Sequence, residues 1–170
     1  MIHTLSVLIE DRPGALARVS NMFARRGYNI ESLAVGPTER PDVSRITLRV
    51  DCSVHSLEQI VKQMHKLVNV LRVNELEAET AVERELALIK VSAPPDKRAE
   101  LLALAEVFNA RVADLGPDSI VFEVVGPPEE LDSFQELVRP HGVKELVRTG
   151  RIGLGRGSLK KTPTRQHALR

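Results

Sequence analysis

The 170-residue chain has no tryptophan, one tyrosine, four phenylalanines and a single cysteine. With so few aromatics any core must be aliphatic, and the strands "RITLRVD" and "ARVADLG" carry none of the aromatics on which RNA-recognition sheets stack bases. One thiol, Cys52, permits no internal disulfide, which fits a reducing, cytoplasmic setting. Cys52 itself reads as a small buried hydrophobe near a strand end. No run of about 18 apolar residues occurs, so no segment reads as a membrane-spanning helix. The opening "MIHTLSVLIE" reads as a strand and lacks the charged head, apolar stretch and small-residue cleavage site of a leader. His3, His55, His65, His141 and His167 show no spacing of three or four, as a helical metal pair requires. There is no G-x-S-x-G and no phosphate loop. "GLGRGS", from Gly153 to Ser158, has the wrong spacing for a dinucleotide fingerprint, and a basic tail follows where a helix is needed. These absences point away from a catalyst and toward a binding module.

Charge is present but unevenly spread. Residues 1–76 carry a net +2, residues 77–150 a net −7 and residues 151–170 a net +6. Three electrostatic characters suggest two domains and a tail. The periodicity agrees. Alternating apolar residues at Leu5, Val7 and Ile9 give a strand, then Ala15, Leu16, Val19 and Phe23 mark one face of a helix that Gly27 ends. "NIESLAVG" and "RITLRVD" are strands, the latter half-exposed through Arg45, Thr47 and Arg49. A helix with Leu57, Ile60, Val61, Met64 and Leu67 on one side follows, and "NVLRVNEL" closes the unit. The order βαββαβ then repeats: "ELALIKVSA", a helix over "PPDKRAELLALAEVF", "ARVADLG", "SIVFEVVG", a helix over "PPEELDSFQELVRP", and "GVKELVRTG" as the last strand. The expected class is α+β, two ferredoxin-like domains in tandem, each a four-stranded antiparallel sheet with two helices on one face. The acidic stretch "EAETAVERE" is the expected boundary.

One stretch stands out. "IEDRPGALARV" puts Pro13-Gly14 at the mouth of the first helix, where a side-chain cap is usual. A helix start leaves about four amide N–H groups without partners and a partial positive charge, a site for a small carboxylate. Gly14 lets a ligand approach the backbone and Pro13 stiffens the turn. Asp11 either caps the helix or accepts a ligand ammonium group; the loop alone leaves both open. In this strand order the second strand is a sheet edge with unpaired backbone groups. "NIESLAVG" is apolar enough to pair with itself in a two-fold dimer, bringing Asn29 and Ile30 of one subunit near the other's Pro-Gly loop.

"DRPGAL" resembles the ligand loop of ACT domains, which bind amino acids to regulate metabolic enzymes. The longer run "LSVLIEDRPGALARVSNMFARRGYNIESLAVGPTE", and within it "FARRGYNIESLAVGPT" (Phe23 to Thr38), is similar to the regulatory small subunits of acetohydroxyacid synthase, also called acetolactate synthase. "ALIKV", "ELVRP" and "ELVRTGRIGLGRG" extend the resemblance to about Gly157. It implies an ACT domain at 1–77 and a C-terminal ferredoxin-like domain at 83–157; residues 158–170 read as a basic, flexible tail, longer and more basic than is usual in the family. It also implies that the chain has no catalytic centre or cofactor of its own. A large catalytic subunit would hold thiamine diphosphate, FAD and Mg²⁺, and this chain would activate it and confer feedback inhibition by valine in branched-chain amino-acid biosynthesis. Matched by position, the effector site comprises Asp11, Pro13, Gly14, Ala15 and Leu16, with Asn29 and Ile30 from the partner of a homodimer and Val35 lining the side-chain pocket. The family often has Asn where this chain has Asp11, which adds a charge beside the ligand ammonium. For the surface that meets the large subunit, the first helix offers Arg18, Asn21, Arg25 and Arg26, which read equally as an ordinary solvated face. An amino-acid-responsive nucleic-acid binder using the basic tail, and an enzyme in its own right, are the competing classes; the tail reads more simply as a solubilising terminus.

Overall fold

A computed structural model describes residues 1–157; the expectation for the tail at 158–170 lies outside the described residues. The chain divides into two compact units. The first comprises Met1–Val82 and the described residues from Ile152 onward, the second Glu83–Arg151.

In the first unit β1 (Ile2–Glu10), α1 (Ala15–Arg26), β2 (Ile30–Pro37), β3 (Val43–Asp51), α2 (Leu57–Met64) and β4 (Val70–Leu76) follow the expected order. The strands lie β2-β3-β1-β4 and every pairing is antiparallel, so β2 is an edge. Leu5, Val7 and Ile9 of β1 meet Ile46, Leu48 and Val50 of β3 on the face that receives Val19, Met22 and Phe23 of α1 and Ile60 and Met64 of α2. Helix α1 ends at Gly27, whose φ of 65° is left-handed backbone that glycine adopts without strain, with Arg25 and Arg26 in the last turn. The opposite face of the sheet is polar, yet Thr47 is only 3% exposed and Ser6 2%. The half-exposed reading of β3 therefore holds for Arg45 and Arg49 alone, and Arg45 Nη1 donates to Ser6 Oγ (2.8 Å).

The second unit repeats the plan with β5 (Ala81–Ser92), α3 (Arg98–Val107), β6 (Arg111–Leu115), β7 (Ser119–Gly126), α4 (Pro128–Val138) and β8 (Val143–Arg148), ordered β6-β7-β5-β8. Its aliphatic core has Phe122 and Phe134 edge-to-face at 5.6 Å. Both units are thus α+β ferredoxin-like folds. Two features differ from expectation. Strand β5 starts at Ala81, inside the acidic stretch read as a boundary, because distant arginines neutralise its carboxylates. Glu85 accepts from Arg148 (3.0 and 2.7 Å) and Glu83 from Arg151 (3.1 Å). A ninth strand, β9 (Ile152–Gly155), follows β8. It pairs with β5 and groups with the first unit, which includes the first residues of β5; there the Thr80 carbonyl accepts the Arg156 N–H (2.7 Å) and the Ala81 carbonyl its Nε (3.1 Å). "GLGRGS" therefore opens in a strand, with no helix among its described residues.

Candidate functional site: the start of the first helix

The two helices of the first unit begin differently. Helix α2 has an ordinary cap: Ser56 Oγ accepts the Gln59 N–H at 3.3 Å. Helix α1 has Gly14 at its cap position, with φ 83° and ψ −5°, and no side-chain cap. Capping is thus not what Asp11 does here; its side chain is exposed and its backbone N–H donates to the Asp42 carbonyl (2.9 Å). The Arg12 N–H donates to the Glu10 carbonyl (3.0 Å), and the Arg12 carbonyl in turn accepts from Ala15 (3.1 Å). Among the described residues no acceptor meets the N–H groups of Gly14, Leu16 or Ala17. They are the orphan donors of a helix start, carrying the positive end of its dipole. A methyl group built on Gly14 would have no atom within 4 Å, so the space above this backbone is open.

The sequence-level site residues do not all play one part. Pro13 and Asp11 are exposed on the loop, and Leu16 is 37% exposed beside it. Ala15 is 3% exposed and belongs to the core, with its N–H already bonded, so its contribution is packing. The scaffold of the loop was not legible in advance. Asn69, at the entry to β4, donates through Nδ2 to Glu10 Oε2 (2.7 Å) while its carbonyl accepts the Glu10 N–H (2.9 Å). Arg12 Nε lies 3.8 Å from the same carboxylate oxygen. Nothing local marks Asn69 or Asp42 as loop supports, since both arrive from other parts of the chain.

Asn29, Ile30 and Val35 sit on or beside edge strand β2, and the structure does not bring Asn29 and Ile30 to the loop of their own chain. Glu10 pairs with Val43, at one end of β3, and Ile30 with Val50, near the other. Seven residues of strand separate those levels by roughly 23 Å. Val35 pairs with Ile46, nearer the loop end, and is 45% exposed. Asn29 is exposed, while Ile30 packs partly against the core.

Among the described residues no group of three or more His, Cys, Asp or Glu side chains is arranged to hold a metal ion, and no helix is long and apolar enough to cross a membrane.

Comparisons with known proteins agree with one another. Residues 5–72 match the family described as the AHAS small subunit-like ACT domain, and residues 84–157 the family described as the small subunit of acetolactate synthase. A probable acetolactate synthase small subunit from Archaeoglobus fulgidus is 48% identical over 160 residues, covering 94% of this chain and 100% of the relative. The acetolactate synthase small subunit of Mycolicibacterium smegmatis is 46% identical over 155 residues, 91% of each chain. The crystal structure of the acetolactate synthase small subunit from Thermotoga maritima superposes with a TM-score of 0.85 at 37% identity, covering 94% of this chain and 99% of that one. The chain belongs to the family of acetolactate synthase small subunits, the regulatory rather than catalytic component of that enzyme.

Proposed function

We propose that this chain pairs with the large catalytic subunit of acetolactate synthase, activates it, and makes it sensitive to valine bound between two ACT domains. The domain division that goes with this reading is 1–77 for effector binding and 83–157 for the C-terminal domain, in a cytoplasmic enzyme. Thiamine diphosphate, FAD and Mg²⁺ belong to the large subunit in this scheme.

The observation that carries the reading is the uncapped start of α1, with free amides under open space. A valine carboxylate fits those donors, worth about 0.3–2 kcal/mol from the dipole alone. The ammonium fits the exposed Asp11 carboxylate. Burying the isopropyl group against aliphatic side chains such as Leu16 and Val35 adds about 1.5–3 kcal/mol. Leucine and isoleucine differ by one methylene and should compete within about 1–3 kcal/mol.

Asn29 and Ile30 lie too far from their own loop to join this site, and in this reading a second copy supplies them. Between Ser32 and Pro37 strand β2 bears no charge, whereas edge strand β4 carries Arg72 and Glu75. Antiparallel pairing of β2 with β2 about a two-fold axis sets the start of one strand beside the end of the other. Asn29 and Ile30 of the partner then arrive at the loop end of the sheet. The corresponding edge of the second unit, β6, is unsuited to such pairing. It is five residues long, interrupted by a register shift between Val112 and Asp114, and charged.

The test is calorimetric titration of valine into the purified chain, with Asn29→His beside it. Saturable binding of one or two ligands per dimer, lost in the variant, is the expected result. Undiminished binding to Asn29→His would remove the intersubunit site.

A further inference from the structure

The helical layers of the two units carry opposite charge although they share one plan. In the first unit Arg18 and Arg25, two turns apart on α1, are exposed, as are Arg26, Lys62 and Lys66. Lys62 pairs with Glu58 (2.9 Å), and Arg26 Nη2 reaches across to Gln63 Oε1 (2.7 Å) rather than to an acid. Among the described residues Arg18, Arg25 and Lys66 make no ion pair. The equivalent layer of the second unit exposes Glu106 on α3 and Glu129 and Glu130 on α4. A solubility device common to both repeats would not change sign between them. The first turn of α1 also holds no acidic residue, which a helix start ordinarily favours.

We propose that the basic outer surface of α1 and α2 docks an acidic protein surface, that of the large catalytic subunit. The proposal rests on the pairing with a large subunit argued above and assigns it a place. Unpaired guanidinium groups suit bidentate recognition of carboxylates and give association that is fast at low salt and weakened by added salt. The location also gives regulation a short route. The docking surface and the free amides are two parts of one helix, because Arg18 donates its backbone N–H to the carbonyl of Gly14 (3.0 Å). A carboxylate bound at the helix start therefore acts on the same rigid element that the large subunit grips.

The test titrates the full-length chain into the isolated large subunit and reads acetolactate formation, for the wild type and for the double variants Arg18→Glu/Arg25→Glu and Arg18→Lys/Arg25→Lys. The charge reversal is expected to raise the small-subunit concentration for half-maximal activation by roughly tenfold or more, and the lysine variant to raise it far less. Going from about 0.05 M to about 0.5 M salt should weaken wild-type activation steeply and the reversed variant only slightly. Valine heat from the reversed variant must stay at the wild-type level, which shows that it folds and keeps loss of docking distinct from loss of the effector site. Unchanged activation by the reversed variant overturns the proposal. So does a reversed variant that sediments as a smaller species than the wild type without large subunit present, because the occupant would then be a second copy. Salt-sensitive capture of duplex RNA or DNA by the wild type, lost in the reversed variant, would overturn it in favour of nucleic acid.

Discussion

Arg148 and Glu85, 63 residues apart, meet in a two-pronged ion pair, Nε to Oε1 at 3.0 Å and Nη2 to Oε2 at 2.7 Å. Glu85 is only 7% exposed, and Asp132 holds the remaining side of the guanidinium. The Glu85 hydrogen bonds, more than the Asp132 contact, push the arginine pKa above its ordinary value. A raised pKa on a cation means that the pair's stabilisation is complete at every pH below the ordinary arginine range and is lost only at still higher pH. Alkaline conditions up to pH 10 should therefore leave this pair intact. Glu85→Ala removes two charge-assisted hydrogen bonds and leaves the arginine with Asp132 alone, which should cost about 1–3 kcal/mol. Urea unfolding reads this as a lower midpoint at unchanged slope.

Gly14 separates two effects when substituted. At φ 83° any L-residue costs about 1–2 kcal/mol, but a new Cβ meets no atom within 4 Å. Gly14→Ala should therefore lower the melting temperature by a few degrees and weaken valine binding modestly. Gly14→Asp adds a negative charge at the position proposed for the ligand carboxylate, and valine heat should vanish at a melting temperature close to that of the alanine variant. Equal valine affinity in the two variants would detach the carboxylate from this helix start.

Val35 is exposed on the free edge of the first sheet. Val35→Lys places a charge on the strand proposed to pair with its copy and should shift the chain toward monomer in sedimentation equilibrium, by tenfold or more in dissociation constant. The monomer's circular dichroism should match that of the parent.

Burial, the largest cause, raises the Cys52 thiol pKa against the pull of the N-terminal ammonium, and the Asp51 and Glu75 carboxylates add to the rise. The thiolate is the reactive form, so a group with a raised pKa reacts only as pH climbs further. Labelling by a thiol reagent at pH 8 should be slower in the native chain than in urea by about an order of magnitude. Equal rates would place the thiol in water.

Phe134 lies between Phe122 (5.6 Å) and Phe108 (5.4 Å) at full burial. Phe134→Ala should destabilise the second unit by about 3–5 kcal/mol, measured by urea denaturation.

What was readable in the sequence was whatever depends on near neighbours. The three-and-four spacing of Ala15, Val19 and Phe23 and the alternation of Ile46, Leu48 and Val50 belong to single elements, and the twice-repeated order of elements restricts the topology. The edge position of β2 follows from that order. What escaped were contacts that cancel a local signal from a distance. "AVERE" looks like part of a domain boundary until Arg148 and Arg151 arrive, and nothing at Glu10, the end of its strand, announces that Asn69 ties it down. Thr47 looks half-exposed because alternation gives a residue's face and says nothing of what shields it. The candidate site divided along the same line: Gly14 was evident from the Pro-Gly turn, while the polar groups bracing that turn were not.

The distance between Gly14 and Asn29 within one chain has a genetic corollary. In the proposed two-fold dimer each effector site takes its loop from one copy and its asparagine from the other. A chain bearing Gly14→Asp and a chain bearing Asn29→His are each blind to valine in their homodimers. Combined in one dimer, both lesions fall into the same site and the other site is assembled entirely from unaltered residues. Two defective alleles expressed together would then restore part of the valine response that neither provides alone.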